Sequence, residues 1–305
     1  MFDLIIIGGG PAGITAAIYA IRKKINTLLI SRDFVGQAGE ASIIENWPGY
    51  KKITGLELLK RMKEHLDSLG AQIKQEEVVG LDKKDNFFVV KTSQNNEYQA
   101  KSVIVASGAS PRSLEVPGER EFIGKGVSYC VTCDAPFFKE KVVAVVGGGN
   151  SGLEAALELV KYAKKVYILE FSSQLKGDEV LQEKVEKEKK IEVILSAKTE
   201  EIKGDNFVRE ISYSDRVSGK KKSLSVDGVF VQIGRVPATV FVKEDLVEFS
   251  ERGEIKIEPG TNKTKTPGLF AAGDVSSVAF KQIIIAAGEG AKAALFCYDY
   301  LKNLK

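Results

Sequence analysis

The chain has 305 residues, which is enough for about two domains, with a net charge of +3 and 44% hydrophobic residues. This balance is typical of a soluble globular protein, and the small charge argues against a nucleic-acid-binding surface. No apolar stretch approaches the length of a membrane span, and the first residues lack the positive segment of an export signal. We therefore expect a cytoplasmic protein that binds neither nucleic acid nor a membrane.

The first elements in the chain have the pattern of a dinucleotide-binding unit. A β-branched run at residues 4–7 predicts a buried parallel strand, and residues 14–21 predict an Ala-rich helix. Between them, Gly8 permits the tight turn, Gly10 lets the backbone approach a pyrophosphate, and Gly13 lets the helix pack on the strand. The free N–H groups at the start of the helix then face the anion.

The same arrangement recurs about halfway along the chain. A strand at residues 142–146 leads into glycines with the same spacing at 147–152, then into a helix at 153–160 and a strand at 166–169 that ends at Glu170. One such glycine pattern is a weak signal, but two copies in the same strand–turn–helix context are a strong one. Two dinucleotide sites on one chain predict electron transfer from one dinucleotide to the other.

The domain organisation follows from the position of the second unit. Chain breaks near residues 111–119 and 235–245 flank that unit. We therefore predict an α/β fold with two Rossmann-like domains, one formed by residues 1–115 and 243–305 and an inserted one formed by residues 116–242. The two crossings between the domains make a plausible hinge.

A C-x-x-C motif lies inside the inserted unit, at Cys130 and Cys133, and Asp134 follows it. Such a pair supports either zinc binding or disulfide exchange. Zinc needs about four ligands, and beyond this pair the chain offers only Cys297 and His65, so we predict no metal site and favour redox chemistry. Asp134 either hands a proton to a departing thiolate or caps the loop, and Cys297 is expected to be a small buried hydrophobe.

These motifs together resemble those of low-molecular-weight thioredoxin reductases and, more closely, the flavoprotein subunit of alkyl hydroperoxide reductase. The resemblance implies that the larger domain binds FAD and the inserted domain binds a nicotinamide dinucleotide. The stretches that carry the likeness extend over the whole chain, at residues 8–13, 36–37, 45–46, 129–134, 147–152, 231–234, 273–274 and 281–294.

The resemblance also implies roles for individual residues. Cys133 exchanges electrons with the flavin, Cys130 attacks the disulfide of a partner protein, and Asp134 is the acid–base group. Because the nicotinamide and the disulfide must both reach one flavin, the two domains alternate between two orientations in such enzymes. Asp33 is the candidate ligand of the FAD ribose. The candidate cofactor-binding residues are Gly8, Gly10, Pro11, Ala12, Gly13, Asp33, Gly36, Gln37, Asn46, Ala106, Gly108, Gly273, Asp274, Lys281, Gln282 and Ile283 for FAD, and Gly147, Gly149, Asn150, Ser151, Glu154 and Glu170 for the nicotinamide dinucleotide.

One departure from the family pattern bears on the electron donor. Thioredoxin reductases that use NADPH carry His-Arg-Arg where this chain has Glu170-Phe171-Ser172. At a separation of about 4 Å, a carboxylate there repels a 2′-phosphate by about 1 kcal/mol in water and by about 4 kcal/mol at the dielectric constant of a protein surface. We therefore predict a preference for NADH over NADPH, with Lys176 as the nearest cation in the sequence that can still support NADPH.

The sequence begins directly at the first strand, so we expect the N-terminal thioredoxin-like domains of the hydroperoxide reductase flavoprotein to be absent. The acceptor is then a separate thioredoxin- or glutaredoxin-like protein, which in turn can serve a peroxiredoxin. The resemblance also implies a homodimer.

Three alternative functions remain open. They are an NADH oxidase in which oxygen accepts the electrons, a reductase that receives its electrons from ferredoxin, and a non-catalytic redox sensor that binds a dinucleotide.

Overall fold

The computed structural model describes residues 1–39, 41 and 44–304, with the backbone alone at Thr132 and Cys133. The chain divides into two compact units, one formed by Met1–Ser110 with Val236–Lys305 and the other by Pro111–Arg235. The predicted boundaries, after residues 115 and 242, lie a few residues later along the chain than these. Within the described residues, no helix is both long and apolar enough to span a membrane.

The elements are numbered in chain order. The helices are α1 (Pro11–Arg22), α2 (Gly36–Gly39), α3 (Gly55–Ser68), α4 (Val131–Asp134), α5 (Asn150–Leu159), α6 (Glu179–Lys187) and α7 (Ile283–Asn303), with a 3₁₀ turn at Ala135–Phe138. The strands are β1 (Phe2–Ile7), β2 (Thr27–Ile30), β3 (Gln72–Lys74), β4 (Val78–Lys84), β5 (Phe87–Thr92), β6 (Glu97–Val105), β7 (Ala109–Pro111), β8 (Val127–Ser128), β9 (Val142–Val146), β10 (Lys165–Leu169), β11 (Ile191–Ile194), β12 (Ala197–Gly204), β13 (Val208–Asp215), β14 (Lys221–Ser225), β15 (Gly228–Val231), β16 (Arg235–Pro237) and β17 (Leu269–Ala271).

The first unit is built on a sheet in which β3, β2, β1 and β6 pair in parallel in that order. The other edge of β6 is shared, because β5 pairs antiparallel with its first half and β17 pairs parallel with its second half. Leu4, Ile5 and Ile6 of β1 are fully buried, as expected for a strand that is covered on both faces. This sheet confirms the predicted α/β class.

The second unit contains a fully parallel sheet in the order β11-β10-β9-β15-β8 and a separate antiparallel sheet of β12, β13 and β14. Strand β9 lies at the centre of the parallel sheet and is followed by the second glycine turn, just as β1 is followed by the first. The chain thus repeats one arrangement of parallel strand, glycine turn and helix in each unit.

Glycine is required at the turn because backbone atoms meet there at short range. A Cβ atom on Gly13 would lie 1.8 Å from the carbonyl oxygen of Gly8, and one on Gly152 would lie 2.0 Å from that of Gly147. No side chain fits in either place, so each helix rests directly on the strand that precedes it. By contrast, a Cβ atom on Gly10 would meet nothing within 4 Å.

Helix α7 closes the first unit against α1. The two helices approach closely at Gly290, where a Cβ atom would lie 2.0 Å from the carbonyl oxygen of Ala12. Ala12 also neighbours Gly273, whose Cβ position is 3.1 Å from the Ala12 methyl group. This packing fixes the first turn of α7, with Ile283 at its start, beside the N-terminal half of α1.

Replacing Gly13 with alanine should destabilise the first unit, because α1 must move away from β1. Overpacking of this kind costs about 1–3 kcal/mol, which lowers the midpoint of thermal unfolding by roughly 2–10 °C. Gly260→Ala, at a glycine of the same unit whose Cβ position meets nothing within 4 Å, is the matched control and should shift the midpoint by less than about 2 °C. Equal midpoints for the two variants would show that the helix does not rest on the strand through Gly13.

Candidate active site

Two helix N-termini are open toward solvent at the glycine turns. Helix α1 begins after Gly10 and α5 begins after Gly149, both in extended backbone, and neither helix has a side-chain cap. Pro11 occupies the first position of α1, where a missing N–H costs nothing. A Cβ atom on Gly10 or Gly149 would meet nothing within 4 Å. The first N–H groups of each helix therefore lack an intrahelical partner and lie beside open space, an arrangement that suits a pyrophosphate.

Three strand ends of the first unit meet at the turn after β1. Gly8, with a φ of +115°, would place a Cβ atom 2.2 Å from the carbonyl oxygen of Ala106 at the end of β6. Gly108 follows with a φ of +69°, and Gly273 and Asp274 follow β17. Because β1, β6 and β17 are parallel neighbours, their carboxyl ends form one edge, where ligands of open α/β sheets bind.

Residues far apart in the sequence meet near the start of α7. The amide of Asn46 donates a hydrogen bond to Gln282 at 3.1 Å, across 236 residues of sequence. The Lys281 ammonium pairs with Glu254 at 2.9 Å and donates to the carbonyl oxygen of Asp274 at 3.3 Å. Asn46 and Gln282, two candidates for the FAD site, are thus joined by a hydrogen bond. A third candidate, Lys281, precedes Gln282 in the chain and is hydrogen-bonded to Asp274 at the end of β17.

Asp33 lies in the turn between β2 and α2, with both carboxylate oxygens engaged. One accepts the backbone N–H groups of Val35 at 3.1 Å and Gly36 at 3.0 Å, and the other pairs with Arg32 at 3.2 Å. Partial burial acts to raise the pKa of Asp33, but these hydrogen bonds outweigh it and lower the pKa. Asp33 therefore shapes the turn that starts α2, on which Gly36 and Gln37 are exposed.

Glu170 lies at the end of β10 and contacts the second glycine turn directly. The side chain is buried, its Oε2 accepts the N–H of Gly148 at 2.6 Å, and its Oε1 accepts that of Ser172 at 2.7 Å. Each carboxylate oxygen has capacity for another donor, such as a ribose hydroxyl. The carboxylate of Glu170 therefore contacts its glycine turn, whereas Asp33 meets the first glycine turn through its backbone carbonyl oxygen, 2.7 Å from the Cβ position of Gly9.

The remaining candidates of the second site lie on helix α5. Asn150 and Ser151 open the helix and Glu154 follows one turn later, and all three are exposed. The Asn150 side chain accepts the backbone N–H of Asp178 at 2.6 Å, which ties the start of α5 to the start of α6. Gly147 repeats the geometry of Gly8, because its Cβ position is 2.3 Å from the carbonyl oxygen of Gln232.

A cation that the sequence analysis did not find lies beside this site. Arg216 follows β13, and its guanidinium carbon lies 3.9 Å from the ring centroid of Phe171, the residue after Glu170. Its Nη1 donates to the Phe171 carbonyl oxygen at 2.9 Å. The nearest cation in the sequence is Lys176, but the arginine that contacts this segment is 45 residues away from Phe171 along the chain. No pattern of residue spacing in the sequence predicts this contact, because Arg216 follows a strand of the antiparallel sheet and Phe171 follows a strand of the parallel sheet.

Cys130 lies between β8 and α4 and takes part in a disulfide bond. Its backbone N–H donates to the Ser128 hydroxyl at 3.0 Å, and its carbonyl oxygen accepts the N–H of Asp134 at 3.2 Å. The side chain of Cys133 lies outside the described part of the structure, so the pairing of Cys130 with it stays a prediction.

Cys297 is a free cysteine that is fully buried, which confirms its expected place in the core. Burial raises the pKa of its thiol to about 12.

A buried carboxylate, also missed in the sequence, anchors the segment before Cys130. Glu119 is fully buried and accepts hydrogen bonds from Tyr129 Oη at 2.7 Å, Ser113 Oγ at 2.6 Å, and the backbone N–H groups of Leu114 and Glu115, each at 2.8 Å. Burial acts to raise its pKa, but the hydrogen bonds outweigh burial and lower it. Burial and the neighbouring carboxylate raise the pKa of Tyr129 to about 12.

Tyr129 is held from a second direction. Its carbonyl oxygen accepts a hydrogen bond from the Gln232 side chain at 3.2 Å. Gln232 is the residue whose own carbonyl oxygen lies against Gly147 in the second glycine turn. The segment that leads into the disulfide and the dinucleotide turn therefore share one neighbouring residue.

Two glycine turns that suit dinucleotides and a disulfide on the same chain define a class, namely oxidoreductases that pass electrons between dinucleotides and a dithiol. A family model described as pyridine nucleotide-disulphide oxidoreductase matches residues 2–290. The chain belongs to this family.

Individual relatives agree with the predicted resemblance. The F subunit of alkyl hydroperoxide reductase from Staphylococcus epidermidis is 42% identical over 305 residues, which cover 98% of this chain and 59% of that protein. NADH dehydrogenase of Bacillus subtilis is 44% identical over 301 residues, covering 98% of this chain and 58% of the relative. The solved thioredoxin reductase of Lactococcus lactis has a TM-score of 0.93 and 38% identity, covering 99% of this chain and 100% of that one. The chain thus spans about three-fifths of the length of the curated relatives that it matches.

The first site fits the FAD on which this family depends. The start of α1 has unpaired N–H groups with open space at Gly10, as a pyrophosphate requires. The polar side chains of Asn46 and Gln282 meet in the same unit, and the backbone of Gly273 and Asp274 lies at the same sheet edge as the turn.

Replacing Glu119 with glutamine should make the protein less stable in a way that depends on pH. The amide supplies N–H groups where the fold needs an acceptor, and leaving buried donors unpaired costs about 1–3 kcal/mol. Because the pKa of Glu119 is lowered in the folded state, its ionised form stabilises the protein above about pH 4.3, and this contribution is lost as the pH falls through the folded-state pKa.

The measurement is the free energy of unfolding in urea for both proteins between about pH 7 and pH 3, where the gap should narrow at the acid end. Glu121→Gln, which alters an exposed carboxylate in the same loop, is the matched control and should open no such gap. A gap that stays constant across this range would mean that Glu119 is uncharged in the folded protein.

Proposed function

We propose that this enzyme takes electrons from NADH, passes them through FAD to a disulfide between Cys130 and Cys133, and delivers them to the disulfide of a thioredoxin- or glutaredoxin-like protein. The observation that carries the proposal is the disulfide at Cys130, in the same compact unit as the glycine turn that Glu170 contacts. A donor site and an electron-carrying disulfide in one unit suit a relay.

Bound FAD would supply two-electron transfer between the nicotinamide and the disulfide. The first unit would hold this cofactor through the N–H groups at the start of α1 and through the side chains of Asn46 and Gln282. Asp274, at the β17 end, supports the phosphate region or the ribityl chain. Lys281, paired with Glu254, fixes the loop that leads to Gln282.

Reduction of the disulfide to two thiols consumes two electrons and two protons. Reduction breaks the Cys130–Cys133 bond and gives two thiols. The Cys130 thiolate then attacks the partner's disulfide, forming a mixed disulfide and releasing one partner thiolate. Cys133 next attacks the Cys130 sulfur, which re-forms the internal disulfide and releases the second partner thiolate. Asp134, adjacent to Cys133 and half-buried, takes up and returns the proton at these sulfurs.

The choice of donor rests on Glu170. A ribose 2′-hydroxyl can donate to this carboxylate, whereas a 2′-phosphate has only acceptor oxygens and a like charge. The similarity to the NADH dehydrogenase of Bacillus subtilis supports the same donor. Gly147, Gly149, Asn150 and Ser151 then hold the pyrophosphate at the start of α5, and Glu154 faces the bound nucleotide from the next turn.

The choice of acceptor is supported by the relatives. A thioredoxin reductase and a hydroperoxide reductase both match this chain over nearly its whole length. A small thioredoxin-like protein therefore remains the proposed acceptor, with a peroxiredoxin as a further recipient. The homodimer and the cytoplasmic location implied by the resemblance and by the composition stay predictions.

The acceptor is tested by NADH oxidation against a panel of small thioredoxin- and glutaredoxin-like proteins. We expect at least one of them to support steady turnover, and Cys130→Ser to lower that turnover by more than about 100-fold, because the attacking thiolate is gone. Cys297→Ala, which removes the buried thiol, is the control and should retain turnover. A Cys130→Ser enzyme with full turnover would favour the NADH oxidase instead, and one slow reduction without turnover would favour a redox sensor.

The donor is tested by comparing the kcat/KM of flavin reduction by NADH and by NADPH. The repulsion expected at Glu170 corresponds to a preference for NADH of roughly tenfold to thousandfold. Glu170→Gln removes the charge and should reduce this preference. A clear advantage for NADPH in the unaltered enzyme would contradict the proposed donor.

A further inference from the structure

The edge of the second unit beyond Glu170 is held by hydrogen bonds from the antiparallel sheet. The backbone N–H of Ala197 donates to the Glu170 carbonyl oxygen at 2.9 Å, and that of Ser196 donates to Ser172 at 2.8 Å. The N–H of Arg216 in turn donates to Ser196 at 2.8 Å. Arg216 is therefore fixed to the same short segment of backbone that carries the acid.

The guanidinium group of Arg216 is positioned by a second set of contacts. It lies 3.9 Å from the ring centroid of Phe171, and its Nη1 donates to the Phe171 carbonyl oxygen. One of about five N–H donors is used in this bond, so the group retains donors for an anion. Phe171 remains 53% exposed, which leaves part of its ring available to a ligand.

The positive charge of Arg216 is not neutralised by its neighbour in the chain. Asp215 pairs with Lys222 at 3.0 Å, and it also accepts the N–H groups of Val217 and Ser218 in the turn after β13. Its carboxylate is thus committed to the hairpin. Arg216 therefore presents an exposed cation beside Phe171, the residue that directly follows the acid at the second glycine turn.

We propose that Arg216 and Phe171 form the adenosine end of the dinucleotide site, and that Arg216 sets how strongly the enzyme discriminates between a 2′-hydroxyl and a 2′-phosphate. This inference rests on the proposed function, because it takes the turn at residues 147–152 as the pyrophosphate site. Glu170 repels the phosphate and Arg216 attracts it, so the preference for NADH is smaller than Glu170 alone would give.

The test measures binding of NAD⁺ and NADP⁺ to the FAD-loaded protein by isothermal titration calorimetry. Arg216→Met keeps an unbranched apolar chain against Phe171 and removes the charge. We expect the ratio of the Kd for NADP⁺ to the Kd for NAD⁺ to rise about tenfold in this variant, with the NAD⁺ affinity changed by less than about threefold. The effect should weaken as salt is raised, because the contact is exposed.

Three further variants make the result specific. Arg216→Lys keeps the charge and should keep most of the original ratio, whereas Lys176→Met removes the cation nearest in sequence and should leave the ratio within about twofold. Phe171→Ala should weaken both nucleotides, since it removes a surface that both adenines share, and NADP⁺ more than NAD⁺, since it also removes the ring against which Arg216 packs.

The outcomes separate the inference from the function on which it rests. An unchanged ratio in Arg216→Met, or a larger change in Lys176→Met, overturns the role of Arg216 while NAD⁺ still binds and the proposed function stands. If neither nucleotide binds the unaltered protein, the donor site itself is wrong and both proposals fall together.

Discussion

The contact on which this structure depends is the one between a glycine α-carbon and a carbonyl oxygen in the turn that joins a parallel strand to a helix. At Gly13 and at Gly152 there is no room for a Cβ atom, so each helix begins directly over its strand. That closeness brings an uncapped helix N-terminus to the carboxyl edge of a parallel sheet. Two anion-binding positions therefore arise from one constraint, used once in each unit, and the candidate cofactor residues gather around them.

In the second unit, the glycine turn and the segment before the disulfide share a neighbouring residue. Gln232 follows β15, and its carbonyl oxygen lies against Gly147 while its side chain holds the carbonyl oxygen of Tyr129. Glu119 holds the same tyrosine through its hydroxyl. Tyr129, the residue before Cys130, is thus held both at its carbonyl oxygen and at its hydroxyl group. The buried carboxylate of Glu119 accepts hydrogen bonds from four donors. Such a segment is suited to return a disulfide to the same position after each cycle.

Sequence reasoning succeeds here where a residue's role depends on a spacing within one strand–turn–helix–strand unit. The glycine turns, the α/β class and Glu170 beside its turn all follow from short spacings. It fails where the partner is distant. Arg216 reaches Phe171 through a neighbouring sheet, and Glu119 looks like an ordinary loop residue because only the fold surrounds it with donors. Asp33 also has suitable spacing, and because its carboxylate accepts N–H groups of its own turn, its role at the FAD ribose stays a prediction.

The central claim is that a flavin held by the first unit connects a nicotinamide dinucleotide to a dithiol at positions 130 and 133. It is tested most directly by anaerobic titration of the yellow holoenzyme with NADH, followed by counting the thiols that react without denaturant. The account predicts two new thiols per chain, located at Cys130 and Cys133, and none in Cys130→Ser. A colourless protein, or a flavin that NADH bleaches without releasing any thiol, would contradict it.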